Sequence, residues 1–400
     1  MSSVLGLDVQ AGTIHSFAVG SMGRENFLTR RRVLLAGGAT ALALKMRPSF
    51  SATDVPRIVF LNPGESTERA SGKQWQLVSR FMAAAAKTLS LNLEVRYAER
   101  DHLLMLRQAE ALARSHAAPD YIVIVNEKQM APQMLTILSA SGSRIVVIHN
   151  DLTDAQRKEL GNERERIANW IGTVTADASS AGYRLMAYLA ERQTNNVPRV
   201  IGVTGDPITP VSVERAHGVQ EWIMSTPAAR LNQLVFSDWT FGDSYEKTRI
   251  LLKRYPATNL IWAANDAMTL GAKKACDAVG SAATVGGMGA LPEALQSVAH
   301  GELTAMMAGD YFIGAFAMVL IHDYHHGLDF AAHGTARLKL DFLTLVHRGN
   351  AAAYYEMLFG GRGDPDFSTI SRFHRRAKAD YDFSVKRLLN NMGKPSDVTS

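Results

Sequence analysis

Seven short polar side chains each follow an apolar run in this chain. They are Asn62 after Ile58–Leu61, Asn126 after Tyr121–Val125, Asn150 and Asp151 after Arg144–Ile148, Asp206 after Arg199–Val203, and Asn265 and Asp266 after Asn259–Ala263. Side-chain amides donate and accept, and carboxylates accept twice, so pairs of them replace water around a neutral polyhydroxylated molecule. Any one of these residues serves equally as a turn former or helix cap; the repetition is what points to a polar cleft. Covalent chemistry finds less support. Gly286-Gly287-Met288-Gly289 is followed by Pro292 and lacks an acidic partner at dinucleotide spacing, and no phosphate-binding loop is present. Thr209-Pro210-Val211-Ser212 is not a nucleophile elbow. His322, His325 and His326 beside Asp323 have a conceivable metal spacing but read better as the solvated polar end of a helix. The expectation is a binding protein with no cofactor and no catalytic residue.

Such residues need elements to position them. From Pro56 the chain alternates short strands, apolar throughout, with segments of helical spacing: strands at 58–61, 93–97, 121–125 and 144–148, with helices at 75–89, 102–115 and 130–141 between them. After a polar excursion at 154–166 the pattern restarts, with strands at 170–172, 199–203, 233–236, 259–263 and 284–287. Strands of this kind separated by helices form parallel sheets covered on both faces. Two consecutive series predict a two-lobed α/β protein, and ligands of such sheets collect at the carboxyl ends of the strands.

The N-terminal 52 residues differ. Thr29-Arg30-Arg31-Arg32-Val33-Leu34-Leu35 matches a twin-arginine pattern, an apolar stretch runs from Val33 to Leu44, and Ser49-Phe50-Ser51-Ala52 offers small residues for cleavage. This order predicts an export leader, too short to span a bilayer, with Met1 or Met22 as the start. Residues 1–51 carry six Lys/Arg against two Asp/Glu, so the formal charge of +5 falls to +1 without them. A nearly neutral body argues against binding nucleic acid, and the cluster Arg372 to Lys378 reads as a solvated helix face. The one cysteine, Cys276, sits in an apolar helical pattern and reads as packing. The disulfide-free exported chain then depends on its core.

From about Arg57 to about Gly349 these residues resemble the type I periplasmic binding proteins, the ribose- and galactose-binding family. The most specific piece is Leu260-Ile261-Trp262-Ala263-Ala264-Asn265-Asp266-Ala267-Met268-Thr269-Leu270-Gly271-Ala272. Supports are Asn62-Pro63, Gly202-Val203-Thr204-Gly205 with Glu214-Arg215 and Gly218, and Pro292-Glu293-Ala294-Leu295 with Gly301-Glu302-Leu303-Thr304-Ala305. Asn62-Pro63-Gly64 and the segment 309–327 resemble the branch of the autoinducer-2 receptor. The resemblance implies two Rossmann-like lobes joined by a three-strand hinge, with crossovers near Thr175, Asp310 and Leu340. It divides the chain into a first lobe of 55–175 plus about 310–340, a second of 176–309 plus about 341–360, and an extension at 361–400. It implies ligand contacts from Asn62, Trp75, Asn150, Asp151, Asp177, Trp239, Asn265 and Asp266. Trp75 and Trp239 would lay ring faces on a sugar, though each reads equally as core packing. Three departures stand out: Gly289 holds a family Asp position, Val213 a family Arg and Gly309 a family Gln. They imply an altered ligand, or a site completed by Asp206 and Asp310.

The function implied is capture of a small polar, sugar-like solute in the periplasm by a monomer that closes around it and is read by an ABC permease or a sensor kinase. A cytoplasmic repressor of the same fold would need a helix-turn-helix where the leader stands. A periplasmic enzyme would need a nucleophile or metal that the sequence does not offer.

Overall fold

The computed structural model describes residues 55–67, 73–193, 197–332, 334–361, 363–375 and 380–390. The expected leader lies outside them. Among the described residues are twelve strands: β1 Arg57–Asn62, β2 Asn92–Tyr97, β3 Tyr121–Val125, β4 Arg144–Ile148, β5 Trp170–Ala176, β6 Arg199–Thr204, β7 Arg230–Phe236, β8 Leu260–Ala263, β9 Thr284–Gly289, β10 Ala305–Ala308, β11 Arg337–Leu340 and β12 Thr344–His347. They form two six-stranded sheets, ordered β11-β5-β4-β3-β1-β2 and β12-β10-β9-β8-β6-β7. Every neighbouring pair is parallel except β10 with β12. The orders 2-1-3-4-5 and 7-6-8-9-10 are the same doubly wound pattern, with the switch point between the first and third strand of each. The chain passes between sheets three times: after β5, after β10 and between β11 and β12.

The strands adopt these places because of their burial. Tyr-Ile-Val-Ile-Val in β3 is buried at every residue, as a central strand covered on both faces must be. Edge strand β2, Asn-Leu-Glu-Val-Arg-Tyr, alternates polar and apolar residues instead. The polar excursion contains a helix, Asp154–Leu160, opened by a capping box in which Thr153 and Gln156 satisfy each other's backbone N–H. Cys276 is buried, and burial pushes its thiol up to about 11, which suits packing.

Helix Ile313–His325 is buried at every position from Ile313 to Asp323. The C-terminal segment lies on it. Phe316 meets Phe342, Phe367 and Phe383 with centroids 4.9, 6.4 and 4.9 Å away, and Val385 and Phe342 pack over Gly309. The expected solvated helix end is therefore not solvated: His322 and Asp323 are 2 % and 0 % exposed. Asp323 accepts from His322 Nδ1 (2.9 Å), Ser371 Oγ (2.5 Å), Arg372 N (2.6 Å) and Tyr381 Oη (3.0 Å). A buried carboxylate survives where donors surround it, and three of these four come from the segment beyond 361. Among the described residues no group of His, Cys, Asp and Glu is arranged to hold a metal.

Candidate functional site

Between the carboxyl ends of the two sheets lies a cleft of about 660 Å³, counting its open mouth. Trp75, at the start of helix Gln74–Thr88, forms part of one wall, and Trp239, in the turn after β7, part of another. Trp239 has φ 72°, and its indole lies where a Cβ at residue 205 would be, so glycine there lets the ring approach. The backbone around the cleft is strained more widely. Of nine described non-glycine residues at positive φ, seven (Glu99, Arg100, Lys128, Gln129, His149, Trp239 and Ala290) stand in the turns that follow β2, β3, β4, β7 and β9. Strain gathered on one rim is a mark of functional geometry.

The polar centre is built from three parts of the chain. His149 follows β4, Arg215 lies on helix Pro210–Ser225, and Asp310 stands at the crossover after β10. His149 Nε2 is 3.0 Å from Asp310 Oδ2, and Arg215 Nη2 donates to the same oxygen, while Arg215 Nη1 reaches the Ala264 carbonyl at 2.5 Å. All three side chains are buried. Burial alone would raise the Asp310 carboxyl, but the imidazole and guanidinium outweigh it and hold it well below the usual carboxylate range. Two atoms of this group, His149 Nδ1 and Arg215 Nε, are buried without a hydrogen-bond partner. A buried polar atom left alone is costly.

Asn265 and Asp266 divide their labour. Asn265 caps helix Asp266–Val279, accepting from Met268 N at 2.8 Å, and donates to the Trp239 carbonyl at 2.9 Å, which fixes the left-handed turn. Asp266 accepts from Leu291 N at 2.6 Å through Oδ1. Its Oδ2 fills the space in which a side chain at Gly289 would begin, and Gly289 itself has φ 119°. Complete burial pushes the Asp266 carboxyl up to about 7.

Trp75, Asn150, Trp239, Asn265, Asp266 and Asp310 line the cleft together. Four other expected contacts do not. Asn62 spends its amide on the Trp75 carbonyl (3.0 Å) and Ser79 Oγ (2.8 Å) and its carbonyl on Gly64 N (2.8 Å), so it holds the start of helix Gln74–Thr88 rather than a ligand. Asp151 is neutralised by Arg157 and by Arg337, the latter at 2.5 Å. Asp177 caps helix Ala178–Ala190 through Ser180 N at 3.1 Å. Asp206 accepts from Trp239 Nε1 at 2.7 Å, behind the ring. Polar lining residues that the sequence reading missed are Gln74, Arg100, Glu127, His149, Thr209 and Arg215. His149 carried a usable signal, since it opens the same post-strand turn as Asn150.

A family model described as "periplasmic binding protein domain" matches residues 66–327. The chain belongs to the periplasmic binding protein family. A periplasmic sugar-binding protein from Pseudomonas fluorescens is 33% identical, with a TM-score of 0.74, covering 84% of this chain and 100% of its own. More distant structures share the binding-protein fold. The arabinose transporter component from Shewanella sp. ANA-3, bound to L-arabinofuranose, is 17% identical with a TM-score of 0.63, covering 75% of this chain and 94% of that one. A twin-arginine translocation pathway signal protein from Burkholderia phytofirmans is 18% identical with a TM-score of 0.64, covering 77% and 94%. No curated protein matches in sequence.

Proposed function

We propose that this periplasmic binding protein captures a small, neutral, sugar-like molecule by closing its lobes, and that an ABC permease or a sensor in the inner membrane reads the closed form. The observation that carries this reading is the convergence of two indoles with the His149–Asp310–Arg215 group in one cleft between the sheets. The ring faces suit sugar C–H groups, and the amide and carboxylate side chains of Asn150, Asn265 and Asp266 in the same cleft suit its hydroxyls. The sugar-binding relative from Pseudomonas fluorescens supports the ligand class, and the twin-arginine pattern at 29–35 supports a periplasmic location. The construction supports closure: groups from both sheets contribute to one site, so a ligand touching both favours the shut form.

The direct test is mass spectrometry of small molecules released on denaturing the purified protein, with a thermal-shift panel of pentoses, hexoses and polyols. A released sugar, or a sugar that raises the melting temperature by several degrees, supports the reading. An amino acid or peptide in the cleft would replace it.

A further inference from the structure

We propose that Lys128 and Asp206 form a latch between the two lobes that positions Trp239 and sets how long the lobes stay shut. This rests on the closure proposed above. Lys128 follows β3 in the first sheet and Asp206 follows β6 in the second, and Lys128 Nζ stands 2.9 Å from Asp206 Oδ2. The next residue, Gln129, donates from Nε2 to the Ile208 carbonyl at 3.2 Å. Both residues hold left-handed backbone, φ 50° and 61°, a conformation that costs energy in non-glycine residues. Two adjacent strained residues thus send their side chains across the same gap.

Asp206 connects this crossing to the cleft wall. Its Oδ2 also accepts from Trp239 Nε1 at 2.7 Å, and Thr209 Oγ1 donates to both carboxylate oxygens, at 3.0 and 2.9 Å. The indole that would lie on a ligand therefore shares one carboxylate with the lysine of the opposite lobe. A ligand that fixes the Trp239 ring fixes Asp206 for Lys128, and Lys128 in turn holds the ring for the ligand. The pair is partly buried, with side chains 28% and 15% exposed. A second ion pair between the lobes, Lys73–Glu293 at 2.6 Å, is 33% and 51% exposed. Exposed pairs contribute little, so the two separate a specific latch from general charge screening.

The experiment uses the full chain, Lys128→Met, Asp206→Asn and Lys73→Met. Small-angle scattering of the ligand-free proteins at low and high salt reads lobe separation. Stopped-flow tryptophan fluorescence with L-arabinose as probe reads release. A latch predicts that the wild type opens as salt rises, that Lys128→Met is already open at low salt and insensitive to it, and that its release rate is about tenfold higher with the melting temperature unchanged. Asp206→Asn opens likewise and shifts the tryptophan emission. Lys73→Met behaves as wild type. Equal separation and salt response in wild type and Lys128→Met, or an equal effect from Lys73→Met, overturns the latch. If L-arabinose gives no signal in any variant while the ligand-free salt response appears as described, the latch stands and the choice of sugar falls.

Discussion

Asp266 and Asp310 share one cleft and respond to pH in opposite directions. Burial raises the Asp266 carboxyl to about 7, above its unfolded value of 3.8. The folded state then binds the extra proton, so this contribution is complete below about pH 4 and is lost as pH rises through about 7. Asp310 is depressed, and its contribution is present above the unfolded value and lost as pH falls into the acid range. Asp266→Asn should flatten the decline in stability between about pH 4 and 7, read by denaturant melts across pH; an unchanged profile would mean that the carboxylate is solvated. Asn265→Ala removes a cap and the hydrogen bond that fixes Trp239, costing about 1 kcal/mol and, with Trp239→Ala, abolishing any ligand-induced thermal shift. Asn265 was legible because its signal is local: a strand, an Asn-Asp pair and a helix in succession. His149 carried the same kind of local signal and was overlooked; Arg215 was not legible. Arg215 acquires its role from Asp310, 95 residues away, and no local pattern reports such a meeting. Asn62 lies outside the cleft for the converse reason, since a side chain after a strand can turn inward to hold its own loop.

At the scale of elements, burial explains what could be read. The strands with a buried apolar run, β1, β3, β4, β6 and β8, stood out. β10 to β12, four residues each, did not: β11 has one face partly exposed, and β12 pairs antiparallel to its neighbour. The segment 309–327, on which the likeness to the autoinducer-2 branch was read, is mostly a buried crossover and core helix, so its sequence reports packing more than ligand. The same helix gives a sharp prediction. Asp323→Ala leaves His322, Ser371, Arg372 N and Tyr381 without their acceptor, and should cost about 3–5 kcal/mol. Hydrogen exchange should then rise in 363–375 and 380–390 before it rises in β3 or β4. Unaltered protection there would show that Phe367, Phe383 and Val385 hold the segment alone.

For the molecule as a whole, the three crossings between sheets argue against independent lobes. Tyr311, at one crossing, stacks on Phe81 at 5.4 Å and donates to Tyr354 Oη at 3.2 Å, joining helix Gln74–Thr88 to helix Ala351–Phe359. Calorimetry should record one unfolding transition with matching calorimetric and van't Hoff enthalpies; two resolved peaks would mean that the lobes melt separately. The two-lobed plan itself was evident from the restart of the strand–helix alternation near residue 170, because each sheet is built mainly from one continuous stretch.

Each sheet nevertheless takes its last strand from far downstream. β11 joins β5 after 160 intervening residues, and β12 is added only at 344–347. A ribosome must therefore make nearly the whole protein before either sheet is finished, and until then β5 and β10 keep open edges on which other chains can pair. Translation that stops short of residue 337 leaves one chain with two unfinished sheets, a species exposed to cellular proteases and chaperones.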